Sequence, residues 1–248
     1  MKVVYILCLR QLRRYFRARS RIIGSLGQPL LFLLAVGFGF GPTFQKAGGG
    51  NYIQFLAPGI ILMGILFTAV FSGIEIIWDR QFGFLKETLV APVSRLQIVL
   101  GRTLGGAIVA MIQGFIVMGI CLIAGFHIEK PALFPIALLF MFLCAVMFTA
   151  LGTAIGSVLE DMQAFPLIMN FMVLPLFFFS GALFPLDNVP KALEIAIRLD
   201  PLTYGVDGLR GALTGASQFG FGMDSYILGI LTVILLGVGS YLFSRIQL

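Results

Sequence analysis

Six long apolar segments, separated by short polar stretches, constrain this chain more than any other feature of its sequence. About 20 consecutive apolar residues are enough to cross the hydrocarbon core of a bilayer. Hydrophobic residues make up 59% of the 248-residue chain and charged residues only 11%, so a soluble fold could not hide the apolar surface. The sequence therefore predicts an all-α polytopic membrane protein with six transmembrane helices. The segments predicted to span are 22–40, 55–77, 104–126, 133–159, 165–184 and 226–243.

The distribution of lysine and arginine predicts the orientation of these segments. With the N-terminus inside, the inner segments hold twelve of the 17 basic residues and the outer segments hold five. An excess of basic residues marks the cytoplasmic side of membrane proteins. We therefore expect a multi-pass protein of the cell (inner) membrane with both termini in the cytoplasm. The net charge of +6 follows this topology and forms no stripe that would indicate nucleic-acid binding.

Residues 1–21 predict an amphipathic helix that lies along the inner membrane surface. Ile6, Leu9, Leu12 and Phe16 repeat at helical spacing, and five arginines crowd the other side. An apolar face beside a basic face is typical of an interfacial helix that meets anionic membrane lipids. The five arginines are Arg10, Arg13, Arg14, Arg17 and Arg21.

The outer segment between the fifth and sixth spans predicts two short outer helices, one before Asp200 and one after it. Asp200 followed by Pro201 is a capping residue before a proline, which is a signal for a helix start. In the second helix Tyr204, Asp207 and Arg210 align at three-residue steps, and Asp207 could pair with Arg210. These helices either cap the outer mouth of the protein or lie on the membrane surface.

A compact charged segment, residues 78–102, separates the second and third spans on the predicted inner side. Within it residues 81–89 predict a short helix, which ends early because the following proline disfavours helical geometry at the residue before it. Apolar side chains flanked by charge suit a helix that inserts into a groove on a soluble partner. The alternative is an interfacial helix that rests on lipid. Ser94 with Gln97 fits a capping box and predicts a new helix that enters the third span. The side chains predicted to be exposed on the short helix are Phe82, Phe84, Leu85, Lys86 and Glu87.

Two stretches of the sequence resemble a known family. Residues 78–95, WDRQFGFLKETLVAPVSR, resemble the coupling region of ABC-2 type transporter permeases, specifically the drug-resistance or polysaccharide and lipo-oligosaccharide export type. Residues 179–211, FSGALFPLDNVPKALEIAIRLDPLTYGVDGLRG, resemble the signature of the same family before its last span. The six spans, the basic N-terminal helix and the chain length agree, so the resemblance covers nearly the whole chain.

The resemblance implies a homodimer of six-helix subunits, each bound to a separate ABC ATPase subunit on the cytoplasmic side. It implies that residues 80–89 form the coupling helix, and that the second and fifth spans face the dimer axis and line the transport path. The implied function is that of the permease subunit of an exporter, which moves an amphiphilic cargo (drug, lipid or glycan) out of the cytoplasm. The implied coupling residues are Arg80, Gln81, Phe82, Gly83, Phe84, Leu85, Lys86, Glu87, Thr88 and Leu89.

The chain carries no ATP-binding loop of its own. Such a loop needs a Gly-Lys pair followed by Ser or Thr, and none of the five lysines follows a glycine. One histidine and scattered serines assemble neither a nucleophile–base pair nor a metal site. We therefore expect no enzymatic activity and no cofactor in this chain, with ATP and Mg on the partner subunit. The alternative function is an ion-gradient-coupled secondary transporter, which would transport without any ATPase.

Two polar residues inside the predicted spans are candidates for the transport path or its gate. Glu75 lies three residues before Trp78, and a charged side chain at mid-membrane costs on the order of 3 kcal/mol on insertion scales. We expect Glu75 to pair with Arg80, Arg102 or an N-terminal arginine, or else to contact cargo at the inner gate. Asn170, an amide within the fifth span, either fixes helix packing or contacts cargo.

Overall fold

The structure, a computed structural model, describes residues 2–46, 50–85, 93–185 and 190–246. Within these residues all regular structure is helical, which confirms the predicted all-α class. A π-helical segment, Leu33–Phe38, joins α2 to α3, and a short 3-10 helix, Pro131–Leu133, precedes α7. The α-helices are α1 (Lys2–Arg17), α2 (Arg19–Phe32), α3 (Gly39–Lys46), α4 (Tyr52–Phe71), α5 (Ile74–Gln81), α6 (Arg95–Ile123), α7 (Phe134–Val158), α8 (Ala164–Phe179), α9 (Lys191–Leu199), α10 (Pro201–Thr214) and α11 (Phe221–Ser244).

Five helical stretches in the described residues are long and apolar enough to cross a membrane. A sixth apolar helix, α8, has 16 residues and extends about 24 Å at about 1.5 Å per residue. Each of the six predicted segments overlaps one of these helices, while the membrane boundaries themselves stay predictions. The five long stretches are Ile22–Lys46, Tyr52–Gln81, Arg95–Ile123, Pro131–Val158 and Phe221–Ser244.

The second stretch, α4 with α5, lies at the centre of the bundle. Of its most apolar 18-residue window 83% is buried inside the subunit, against 17% for the first stretch. Helices α2, α6, α7, α8 and α10 all pack around α4. Little of the second span is therefore free to face a second subunit, whereas the first stretch presents a broad apolar surface.

Helix α1 packs lengthwise along the first half of α6. Two glycines of α6 allow the close approach: a Cβ added at Gly101 would lie 2.9 Å from the side chain of Leu7. A Cβ added at Gly105 would lie 2.8 Å from the side chain of Gln11. Because both contacts advance along the two helices in the same direction, α1 runs alongside α6 rather than across it.

The face of α1 that packs on α6 is separate from the predicted apolar face. The Tyr15 hydroxyl donates a hydrogen bond to Oε1 of Gln113 at 2.6 Å, so the packed face carries Tyr15. Ile6 and Phe16, which belong to the predicted apolar face, are 60% and 56% exposed. The protein therefore leaves these two side chains uncovered, and their contact with membrane lipid stays a prediction.

Helix α10 is enclosed by the bundle. It packs against α7, α11 and α4, and residues 202–209 are all buried. The predicted cap at its start is confirmed, since the Asp200 carboxylate accepts a hydrogen bond from the Leu202 N–H at 2.9 Å and Pro201 is the first helical residue. The alternative that this helix lies on the membrane surface is therefore wrong.

Candidate functional site

A buried carboxylate, Asp79, is the centre of an ion network at the predicted inner end of the protein. Its side chain is 2% exposed. It accepts hydrogen bonds from Nη2 of Arg10 and from Nη2 of Arg102, both at 2.5 Å. Because Arg10 belongs to α1 and Arg102 to α6, one carboxylate of α5 joins three helices.

Glu75 extends this network by one helical turn. Its carboxylate is buried and lies 3.3 Å from Nη1 of Arg14, which confirms the predicted ion pair with an N-terminal arginine. The acids at 75 and 79 thus face the arginines at 10 and 14 with the same four-residue spacing. Sequence reasoning missed Asp79, and this matched spacing is the signal that could have found it.

The residues on either side of the predicted contact aromatics are fixed to the bundle. Arg80 donates from Nη2 to the carbonyl oxygen of Ser157 at 2.8 Å, and its Nη1 lies 3.5 Å from the Glu160 carboxylate. Leu85 is fully buried in a small apolar cluster with side chains of α6 and with Phe243 of α11. The prediction that Leu85 is exposed is wrong, because this cluster covers its side chain.

Phe82 and Phe84 project from the end of α5 and are 68% and 53% exposed, as predicted. Helix α5 ends at Gln81, whose Nε2 donates to the Glu160 carbonyl oxygen at 3.3 Å. Gly83 follows with a φ of +78°, which side chains disfavour, so the chain turns between the two phenyl groups. This turn interrupts the helix predicted over 81–89. The remaining coupling residues, Lys86, Glu87, Thr88 and Leu89, lie outside the described residues.

Two open grooves border α1 near this network. The larger has a volume of about 830 Å³ and is lined by arginines of α1 together with Asp79 and Phe84. The smaller, about 360 Å³, lies between α2 and α4 and combines hydroxyl, amide and phenyl groups. The mixed lining of the smaller groove suits an amphiphile. The sequence did not indicate this groove, because its lining residues come from three separate helices. The smaller groove is lined by Tyr15, Gly24, Ser25, Gln28, Phe67, Thr68 and Phe71.

The two predicted gate residues have different surroundings. Glu75 is enclosed in the ion network with Arg14. Asn170 lies on an exposed face of α8, between the exposed apolar side chains of Leu167 and Phe171. An amide that faces hydrocarbon lacks hydrogen-bond partners, so this face suits contact with another polar surface.

The outer residues Tyr204 and Asp207 hold neighbouring backbone in place. The Tyr204 hydroxyl donates to the carbonyl oxygen of Arg198 at 2.7 Å and ties α10 to α9. The Asp207 carboxylate accepts from the Ser217 hydroxyl at 2.9 Å, and from the Phe219 N–H at 2.8 Å. These bonds order the loop between α10 and α11, which is a structural role.

Arg210 has separate partners. It donates to the carbonyl oxygen of Gly181 at 2.9 Å, and its guanidinium lies 4.0 Å from the centroid of the Phe55 ring. The prediction that Asp207 pairs with Arg210 is therefore wrong, because each side chain forms hydrogen bonds with a different part of the chain. Burial lowers the pKa of Arg210 to about 10, and the charge of Asp207 opposes this shift.

Comparison with known proteins identifies the family. The ABC-2 type transporter family matches residues 2–214, from α1 through α10. The transport permease ycf38 of Cyanophora paradoxa is 30% identical over 98% of this chain and 88% of the relative. Nodulation protein J of Rhizobium leguminosarum bv. trifolii is 28% identical over 80% of this chain and 76% of its own. The doxorubicin resistance ABC transporter permease protein DrrC of Mycobacterium tuberculosis is 25% identical over 83% of this chain and 75% of its own.

The family match includes the whole ion network and both outer helices. Two of these relatives, ycf38 and DrrC, are described as permeases, which agrees with the apolar stretches of the described residues. The chain therefore belongs to the ABC-2 type transporter family and is a multi-pass membrane permease.

Proposed function

We propose that this chain is the membrane subunit of an ATP-driven exporter, and that a separate ABC ATPase binds residues 80–89 on the cytoplasmic side. Membership of an ABC transporter family supports the ATPase partner. The observation that carries the proposal is the arrangement at the end of α5. Two exposed phenyl groups, Phe82 and Phe84, lie between two residues that are anchored in the bundle, Arg80 and Leu85.

A displacement of the two phenyl groups by the ATPase would be transmitted to several helices of the subunit through the contacts of these anchored residues. Arg80 connects to the segment between α7 and α8, and Leu85 to α6 and α11. Asp79 connects to α1 and α6. ATP binding would drive transport only if the ATPase contacts two arrangements of the subunit with different free energies.

The cargo that we propose is an amphiphile: a drug, a lipid or a glycan-bearing lipid. One relative is described as a doxorubicin resistance permease, and the smaller groove offers hydroxyl, amide and phenyl groups. We further propose a homodimer in the cell (inner) membrane with both termini in the cytoplasm. The exposed amide of Asn170 and the exposed apolar surface of the first stretch support a second copy, and Glu75 is the proposed gate residue.

The test is the double variant Phe82→Ala with Phe84→Ala. We expect ATPase binding to weaken at least about tenfold, because exposed aromatic anchors dominate such interfaces. ATP-dependent uptake of a fluorescent amphiphile into inverted membrane vesicles should fall with it. Tyr226→Ala, which removes a well exposed aromatic side chain of α11, is the matched control and should change neither.

Full ATP-dependent uptake by the double variant, with the ATPase still bound, would refute the coupling assignment. Uptake by the chain alone, abolished when the ion gradient is dissipated, would instead support the secondary transporter. Membrane insertion is compared in both variants first, so that a folding defect is not mistaken for uncoupling.

A further inference from the structure

The larger groove beside α1 places positive charge next to apolar surface. Its volume is about 830 Å³, and Ile6, Leu9 and Phe84 contribute apolar lining. A basic wall over an apolar floor is complementary to an amphiphile with a negative head. The arginines that line the groove are Arg10, Arg13, Arg14 and Arg17.

The carboxylates near the groove do not balance its arginines. Glu75 and Asp79 are already shared among three arginines of the ion network. Arg13 and Arg17 make no ion pair with any residue that the structure describes. Among the residues that the structure describes, five arginines therefore meet two carboxylates, and Arg13 and Arg17 line the groove without a paired carboxylate.

One hydrogen-bond donor close to Arg14 lacks an acceptor. The indole Nε1 of Trp78 is buried without a hydrogen-bond partner among the described residues, whereas Nη1 of Arg14 faces the Glu75 carboxylate at 3.3 Å. The Arg14 guanidinium lies 5.7 Å from the centre of the Trp78 ring. An unsatisfied buried donor is unfavourable, and phosphate oxygens accept well from guanidinium groups.

We propose that this groove binds the phosphate headgroup of an anionic lipid from the inner leaflet, with the acyl chains along Ile6 and Leu9. An acidic protein surface is the competing occupant. The exposed side chains of Ile6 and Phe16 on the same helix favour lipid, because they offer hydrocarbon contact beside the charge. The site rests on the proposed orientation of the chain and requires no ATPase.

The chain contains a single tryptophan, Trp78, whose ring lies 5.7 Å from the guanidinium of the groove residue Arg14 and can therefore report on a ligand that moves Arg14. The detergent-solubilised protein is titrated with dihexanoyl phosphatidylglycerol, with dihexanoyl phosphatidylcholine as the neutral lipid, and with inorganic phosphate as the headgroup without chains. We expect a saturable change in Trp78 emission with the anionic lipid alone, because a bound phosphate draws Arg14 away from the indole ring.

The double variant Arg13→Gln with Arg17→Gln removes two groove charges and leaves the ion network intact. The lipid concentration at half saturation should rise about 30-fold, because the loss of each arginine should weaken lipid binding by slightly more than about fivefold. Arg19→Gln with Arg95→Gln removes the same charge from exposed positions that do not line the groove. This control should change the midpoint by less than about twofold, since neither side chain lines the groove and neither can contact a headgroup bound there.

Equal weakening by the two double variants would overturn the proposal in favour of diffuse surface attraction. An equal response to inorganic phosphate, or no response of the unaltered protein to the anionic lipid, would overturn it as well. Loss of ATPase binding by the groove variant with an unchanged lipid titration would assign the groove to an acidic protein partner. Circular dichroism verifies the helical content of each variant, and Arg17→Gln alone serves if the double variant fails to fold.

Discussion

The two ends of the bundle, which are the outer and inner ends in the proposed orientation, use their charged side chains differently. At the outer end the partners are mostly backbone groups: Asp207 accepts from the loop at 217–219, and Arg210 donates to the carbonyl oxygen of Gly181. At the inner end the charges pair with one another across α1, α5 and α6. Backbone partners fix the shape of the outer end, whereas the described arginines of the inner network and groove outnumber the carboxylates with which they pair.

The outer end also retains a carboxylate in an unfavourable setting for charge. Burial raises the pKa of Asp200 to about 8, and the hydrogen bond from the Leu202 N–H partly offsets the shift. This carboxylate caps α10, so its role is the start of a helix. Burial alone therefore does not mark a functional charge in this protein.

Asp79→Asn has the largest expected effect on this comparison. The substitution leaves Arg102, which is 5% exposed, without its counter-charge, and should lower the free energy of unfolding by about 3–5 kcal/mol. Denaturant unfolding in detergent measures the loss. Glu160→Gln, an exposed carboxylate at the same end, is the control and should lower it by less than about 1 kcal/mol. Similar stability of the two variants would show that the buried network does not hold the three helices together.

Asp207→Asn should have an intermediate effect. The side chain keeps one acceptor oxygen for several donors and loses its charge, which should lower the free energy of unfolding by about 1.5–3 kcal/mol. The phosphatidylglycerol titration of Trp78 should stay unchanged, because the loop at 217–219 belongs to the outer end. A shifted titration would contradict the separation of the two ends.

Arg198→Gln should have the smallest effect. The side chain forms an exposed pair with Glu194 one turn earlier in α9, with nitrogen and oxygen 2.8 Å apart. Pairs of this kind contribute about 0.3–0.5 kcal/mol, so the unfolding curve should hardly move. The bond from the Tyr204 hydroxyl goes to the backbone of Arg198 and survives the change. A loss above about 1 kcal/mol would mean that α9 depends on this surface pair more than exposed pairs allow.

Hydropathy predicted which segments are helical but not where the helices end. Helix α6 begins at Arg95, before the apolar segment at 104, and the predicted cap is confirmed because the Ser94 hydroxyl accepts from the Gln97 N–H. Helix α8 ends at Phe179 instead of 184, since the chain turns at Gly181 with a φ of +70°. Capping groups and backbone turns determine where these helices begin and end. Mean hydropathy contains no information about these two features.

The exposed phenyl groups and the pairing of Glu75 with an N-terminal arginine followed from the sequence, and the burial of Asp79 at the centre of the ion network did not. Asp79 follows Trp78 in a charged segment, so the sequence predicts that its side chain is exposed to solvent. Only the packing of α1 on α6 shows that it is buried. The enclosure of α10 was missed for a related reason: Asp207 and Arg210 have partners at 217–219 and at Gly181, which local periodicity cannot relate to them.

The central position of α4 has a consequence for biogenesis. Since helices of the same chain surround it, one chain is enough to cover the apolar residues of α4. In the proposed homodimer, dissociation would then release intact protomers that can join again, with no need to refold.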